Sequence, residues 1–241
     1  MTAKQIEAAI TPRSRVLLLN TPRNPTGAVL SQNEIDEIGE VCERHDLWIV
    51  VDEVYADLTY GALFCSPFDR PQLRHRTLAV SSISKSHALP GFRAGWIASP
   101  LEVTQRLVLV AEAMLFGSQP FIEDALAVAL SQRHPEVESL SAAFKDRAHQ
   151  LVSTFDGSTA AKARMPEGGM FIMVDIRETG MSGEDFAWML LNDHDIVVMP
   201  GESFGNGGAG HIRLALTNDA SVLREAGNRI RQVADAVVAK R

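Results

Sequence analysis

Val16-Leu17-Leu18-Leu19 and Trp48-Ile49-Val50-Val51 are short unbroken apolar runs, and between them lies Ser31 with Glu34 three residues on, then Ile35, Ile38 and Cys42 at helical spacing. Each run has the composition of a strand buried on both faces, the first ending at turn-forming Asn20-Thr21-Pro22. Ser31 and Glu34 form a capping box, which predicts the start of a helix that His45 and Asp46 end. Strand, helix and strand within about forty residues make a βαβ unit, whose crossover is right-handed and whose strands are parallel. Leu78-Ala79-Val80 and Gly95-Trp96-Ile97-Ala98 are further strand candidates, flanking a loop that holds Lys85. The expected fold class is therefore α/β, with helices layered on a mostly parallel sheet.

Beyond this sheet, Leu101 to about Phe116, Pro120 to Leu130 and Val137 to Phe155 read as helices. From Gly168-Gly169 the character changes to that of a smaller α+β unit. It has strands at Met170 to Asp175, Ile196 to Met199 and Ile212 to Leu216, a Ser182-capped helix to about His194, and a terminal helix from Ala220. The expected division falls near residue 133, giving domains 1–133 and 134–241. Gly205 to Gly210 lacks the spacing of a dinucleotide or Walker loop and reads as a flexible turn.

The chain has 241 residues, 46% of them hydrophobic and 22% charged, which is the balance of a packed globular protein rather than a disordered one. A net charge of −7 gives no positive field, so nucleic acid and anionic membrane are not expected partners. With only two cysteines and no long apolar segment near the start, neither a disulfide framework nor a signal or membrane-spanning segment is expected, and a reducing cytoplasm fits. The seven histidines form no metal-ligand spacing and no triad, so no metal is expected.

Several polar residues lie at or just beyond predicted strand ends, where ligands of parallel sheets collect: Asn24, Asp52 and Lys85. Together with Tyr55, Ser82 and Arg93 they supply an amine, a carboxylate, a phenol, an amide, a hydroxyl and a guanidinium, a set that suits pyridoxal 5'-phosphate. A neutral Lys85 could attack a carbonyl, and burial beside Arg93 would favour that form. Asp52 could pair with a protonated ring nitrogen, Tyr55 and Asn24 could donate to a phenolate oxygen, and Ser82 and Arg93 could hold a phosphate. Each also has an ordinary structural alternative: a solvated lysine, a cap, a packed phenol, a surface arginine. Arg213 lies inside the apolar run Ile212 to Leu216, where a cation needs an anionic partner, either a substrate carboxylate or an ordinary acidic side chain. His87 could line the same site or simply pack.

In order along the chain, Asn24-Pro-Thr-Gly27, Asp52-Glu-Val-Tyr55, Ser82-Ile-Ser-Lys85, Gly91-Phe-Arg93-Ala-Gly95-Trp96 and His211-Ile-Arg213 resemble the class I/II, fold-type I aminotransferases that use pyridoxal phosphate. The resemblance covers essentially the whole chain. It implies that Lys85 carries the cofactor as a Schiff base and shuttles the proton of the substrate. It further implies that Asp52 holds the pyridine nitrogen, Asn24 and Tyr55 the ring oxygen, Ser82 and Arg93 the phosphate, and Arg213 the substrate α-carboxylate. The substrates implied are an L-amino acid and a 2-oxo acid, and the full-length form would be a homodimer. A cis Asn24-Pro25 bond is expected as well. Within the family, Ser84-Lys-Ser-His-Ala88 and the stretch from Pro166 to Ile176 look most like arginine-pyruvate transaminases and aspartate-type relatives.

Family members usually carry a further N-terminal part with a glycine-rich phosphate loop and a cofactor-stacking aromatic ring, so this chain resembles their C-terminal portion. The first domain would then hold part of the cofactor-binding domain, with one sheet edge bare. Three other readings compete with amino transfer. They are a carbon-sulfur β-lyase on the same cofactor, an aminotransferase-like effector module of a transcription regulator, and a catalytically silent fragment.

Overall fold

In a computed structural model, which describes residues 1–132 and 134–241, the chain forms two compact units. The first comprises residues 1–22 and 29–140, the second residues 23–28 and 141–241. The division expected near residue 133 falls on Arg133, which lies outside the described residues.

The first unit is built on four strands, β1 (Val16–Asn20), β2 (Trp48–Asp52), β3 (Thr77–Ser82) and β4 (Gly95–Ala98), in that spatial order. β1, β2 and β3 are parallel and β4 is antiparallel to β3. Two helices precede and follow β1, α1 (Ala3–Ala9) and α2 (Gln32–Arg44). The capping box read at Ser31 is formed: its hydroxyl accepts from the Glu34 amide while Glu34 Oε2 accepts from the Ser31 amide at 2.8 Å. Ile35, Ile38, Val41 and Cys42 of α2 then pack with Leu19, Ile49, Val51 and Ala79 of the sheet in one core, to which α1 adds Ile6. Burial in this apolar setting pushes the Cys42 thiol up to about 11, so it behaves as a small apolar side chain.

Helix α1 was not legible in the sequence. It holds through its own capping box, Thr2 with Gln5, and through Glu7, which accepts from Arg44 at 2.9 Å. A second correction concerns β1. Continuous apolar composition implied burial on both faces, yet Leu18 is 71% exposed and Val16 54%. β1 is the outermost strand, and among the described residues nothing covers the face that these two side chains share. β4 is the other outermost strand.

After α3 (Ile83–Ser86) and β4 come α4 (Leu101–Leu115) and α5 (Pro120–Ser131), as their periodicity predicts, but neither contains a buried residue. The chain passes from the first unit to the second within α6 (Pro135–Ser153).

The second unit has a four-stranded antiparallel sheet in the order β5 (Lys162–Ala163), β6 (Phe171–Asp175), β8 (His211–Ala215), β7 (Met199–Pro200). Ile172 pairs with Leu214 and Val174 with Ile212, all buried on one face. Helices α6, α7 (Gly183–His194) and α8 (Ala220–Ala239) contribute Leu151, Phe186, Leu190 and Ile230, each fully buried. α8 approaches the end of α6 so closely that a Cβ on Gly227 would meet Thr154 Oγ1 at 2.3 Å. Asp235 of α8 ties down the turn after α6, accepting from Ser158 Oγ at 2.7 Å and from the Thr159 amide at 3.0 Å.

The strand read at Ile196 to Met199 is shorter and later, because the Ile196 amide closes the end of α7 by donating to Leu190 O at 3.0 Å. The glycine-rich stretch 205–210 contains a short 3-10 turn, Asn206–Gly208. Glu202 Oε1 accepts from the amides of Gly183 at 2.8 Å and Gly210 at 3.0 Å, joining the start of α7 to the start of β8.

Candidate functional site

Because β1, β2 and β3 are parallel, their carboxyl ends lie along one edge of the first sheet. The register sets Asn20 beside Asp52, and Asp52 beside Val80, two residues before Ser82. Asp52 is half-buried, with Oδ1 accepting from the Val54 amide at 3.1 Å. Its backbone carbonyl takes two donors from the end of β1, the Thr21 amide and Asn20 Nδ2, each at 3.1 Å. The carboxylate is thus held by its own turn, and its backbone by the neighbouring strand.

Ser82 ends β3 and caps α3, its hydroxyl accepting from the Ser84 amide at 3.3 Å, which leaves the hydroxyl proton to donate elsewhere. That cap explains why Lys85 lies on a single helical turn and not on the loop expected from sequence. Lys85 is half-buried, and its ammonium enters none of the ion pairs among the described residues. Beyond the turn at Pro90–Phe92, Arg93 adopts a left-handed conformation with φ 52°, is exposed, and donates from Nη1 to Pro90 O at 2.9 Å. Gly95 lets β4 close onto this end of β3, since a Cβ there would stand 2.6 Å from Ser81 O. Tyr55 is buried, 7% exposed, in the turn that follows Asp52. The first unit therefore gathers a carboxylate, a phenol, a hydroxyl, an amine and a guanidinium on the segments at and just beyond the ends of β2 and β3.

His87 belongs to packing. Its Nε2 donates to the Ala129 carbonyl at 3.1 Å, and its Nδ1 lies 2.8 Å from Ser86 Oγ. The roomy apolar cavity of about 640 Å³ bordered by His87, Leu89, Ala125 and Val128 does not include Lys85 in its walls. It is not where the polar groups gather.

The second unit carries the other two residues singled out by sequence. Arg213 donates from Nη1 to Asn24 Oδ1 at 2.9 Å, joining residues 189 apart in the chain. The amide's oxygen is so engaged, and Nδ2 is the half of Asn24 that donates. Both the Thr21-Pro22 and Asn24-Pro25 peptide bonds are cis, the second as expected. The loop 23–28 belongs to this unit through backbone as well, the Glu167 amide donating to Gly27 O at 3.1 Å.

The guanidinium of Arg213 lies 4.8 Å from the ring centre of Phe204 and 5.6 Å from that of Phe171. An amide oxygen and two aromatic rings are thus among the groups around the cation, for which a substrate carboxylate or an acidic side chain was the expected partner. The two rings were missed in the sequence. Phe171 was assigned to a strand and Phe204 to no element, and only the pairing of β6 with β8 brings the first against Arg213.

Glu53 was missed for a different reason: it was read only as part of a motif. Its side chain is buried at 9% exposure, and burial pushes its carboxyl up to about 7 against a hydrogen bond from Ser66 that pulls it down.

Comparison with known proteins points one way. The family model for class I and II aminotransferases matches residues 1–230. An arginine–pyruvate transaminase of Pseudomonas aeruginosa is 42% identical over 228 residues, 95% of this chain and 58% of the relative. An aspartate aminotransferase of Musicola paradisiaca is 35% identical over 219 residues, 89% of this chain and 54% of the relative. Among solved structures, the aspartate aminotransferase of Rhizobium meliloti matches with a TM-score of 0.91 at 30% identity, over 98% of this chain and 62% of that one. The aromatic aminotransferase of Pyrococcus horikoshii matches with a TM-score of 0.93 at 28% identity, over 98% of this chain and 64% of that one. The chain thus spans a little over half the length of these curated relatives.

Proposed function

Since the chain belongs to the class I and II aminotransferase family, we propose that it carries the Schiff-base lysine and most of the cofactor-binding side chains of an enzyme that moves an amino group from an L-amino acid to a 2-oxo acid. The observation that carries the proposal is the register of the parallel strands. It brings Asp52 level with Val80 on the strand that ends at Ser82, three residues before Lys85.

Pyridoxal 5'-phosphate is the cofactor proposed, and the donor set fits it in kind: an amine outside any described ion pair, a carboxylate fixed at a strand end, a hydroxyl with a proton to give, and an exposed guanidinium. When bound, it supplies an aldehyde for amine attack and a ring that accepts electrons from the substrate's Cα. Lys85 would hold the cofactor through its amine and would be the base placed to take a proton from the substrate's Cα and return it. Asp52 would pair with the ring nitrogen. Asn24 Nδ2 and the Tyr55 hydroxyl would donate to the ring oxygen, and Ser82 and Arg93 would hold the phosphate. Arg213 pairs with the substrate α-carboxylate, and its contact with Asn24 links recognition of substrate to recognition of the ring. Residues 1–133 would form part of the cofactor-binding domain and 134–241 the small domain of a cytoplasmic enzyme that is a homodimer at full length.

The test is an absorbance titration of the 241-residue chain with pyridoxal phosphate beside Lys85→Ala. A saturable visible band, absent in the variant, bleached by an amino acid and restored by a 2-oxo acid, is the expected result. A natively folded chain that gives no band overturns the proposal for these residues. Release of pyruvate and thiol from cystathionine without any 2-oxo acid would replace transfer with elimination.

A further inference from the structure

Glu53 occupies an unusual place. Along β2 the side chains of Ile49 and Val51 face the α2 core while Trp48, Val50 and Asp52 face the other way. Continuing this alternation, Glu53 follows Ile49 and Val51 onto the core side, where an apolar residue would cost far less. Three of its polar groups are bonded. Its amide donates to Val80 O at 2.8 Å, its carbonyl accepts from Ser81 Oγ at 3.4 Å, and its Oε1 accepts from Ser66 Oγ at 2.5 Å. Ser66 in turn accepts from the Phe68 amide at 3.1 Å and caps the turn Pro67–Asp69. That turn is followed by Arg70, locked on Asp36 of α2 by two bonds of 2.9 and 2.8 Å. The backbone of Glu53 therefore ties the end of β2 to β3, and its side chain ties it to the turn at Ser66.

Asp52 is the residue immediately before it. Its carboxylate orientation rests on a bond from the Val54 amide, the residue immediately after Glu53. Asp52 and Val54 thus flank the anchored residue, and their mutual bond spans it. We propose that Glu53, held by Ser66, is the positioning residue that fixes Asp52 at the angle the ring nitrogen requires. The charged and titratable neighbours are Asp52 and Asp69, whose negative charges favour the neutral form of Glu53, and the Cys65 thiol. The burial that raises Glu53 to about 7 acts in the same sense. The part of this concerning the ring nitrogen rests on the proposed function; the positioning of Asp52 does not.

The experiment compares Glu53→Gln, Glu53→Ala and Ser66→Ala in the 241-residue chain, with two readouts. Amide hydrogen exchange at Val54, followed by NMR without cofactor, reports the Asp52 bond directly. Pyridoxal phosphate affinity reports its use. Glu53→Gln keeps a neutral hydrogen-bonding group and is expected to match the wild type in both. Glu53→Ala should speed exchange at Val54 about tenfold and weaken cofactor binding by about 10-fold, within the range for residues that orient a ligand-holding group. Amides of β8 should be unmoved. Ser66→Ala should act in the same direction more weakly, and it carries the test should Glu53→Ala fail to fold.

Wild-type exchange at Val54 in a folded Glu53→Ala overturns the proposal, as does a Glu53→Gln that falls as far as Glu53→Ala. Altered exchange at Val54 in a chain whose wild type binds no pyridoxal phosphate supports the positioning of Asp52 and removes the cofactor reading instead.

Discussion

The two units reach stability by different means. In the second, helices α6, α7 and α8 each contribute fully buried residues, and the buried face of the sheet, Ile172, Val174, Ile212 and Leu214, has no large exposed apolar residue among it. In the first, α1 and α2 make a core on one face, while α4 and α5 bury nothing and leave Leu109, Leu115, Phe116 and Phe121 open to solvent. The residues proposed for chemistry at the cofactor ring and phosphate are nearly all on the unit with the more exposed apolar surface. Local sequence rules are obeyed equally well in both, so the difference is one of tertiary coverage and not of helix or strand propensity.

The largest expected effect separates the two units directly. Phe186→Ala, at a fully buried position of the second unit, should cost about 3 to 5 kcal/mol, whereas Phe116→Ala, at the 97% exposed end of α4, should stay within about 0.5 kcal/mol. Denaturant melts of the two variants check this, and equal losses would show that α4 is covered in solution.

Next comes the pH dependence built into the first unit. Glu53 is raised in the folded state to about 7, so its contribution is full below the ordinary 4.5 of the unfolded chain and is lost as pH rises through 7. The loss should be roughly 3 kcal/mol. Melting between pH 5 and 8.5 should show a fall in the wild type that Glu53→Gln lacks; parallel curves would mean that the carboxyl is solvated.

A smaller effect should be the same in both units. Ser31→Ala removes the cap of α2 and Ser182→Ala that of α7, whose hydroxyl accepts from the Asp185 amide, and each should cost about 1 kcal/mol. A large inequality would mean that one cap reports tertiary packing and is not local. The smallest effect on stability comes from Leu109→Gln combined with Leu115→Gln. Unfolding should move by no more than about 0.5 kcal/mol per site, while light scattering at high concentration should drop because an exposed apolar patch is removed.

Much of this was legible in the sequence, and the exceptions share a cause. The capping box at Ser31, the helical spacing of Ile35, Ile38 and Cys42, and the strand ends at Asn20 and Asp52 are local signals, and the elements stand where those signals put them. The exposure of Leu18 was not legible, because a continuous apolar run says nothing about whether a partner layer exists. Nor were α1, held by distant Arg44, or the aromatic pair around Arg213, which depends on a strand pairing across about 40 residues. Glu53 was in view throughout as part of a motif. Its distinction appears only when the pleat assigns it to the core face, away from Asp52.

Residues 23–28 leave the end of β1 yet belong by their bonds to the second unit, through Asn24 with Arg213 and Gly27 with Glu167. The consequence is one of modularity. A gene fragment starting at Ser141 would encode most of that unit but not the six-residue strap threaded into it from more than a hundred positions upstream. Such a fragment would inherit Arg213 without the amide it grips, so the unit could not be grafted elsewhere as a continuous cassette unless the strap were supplied as a separate piece.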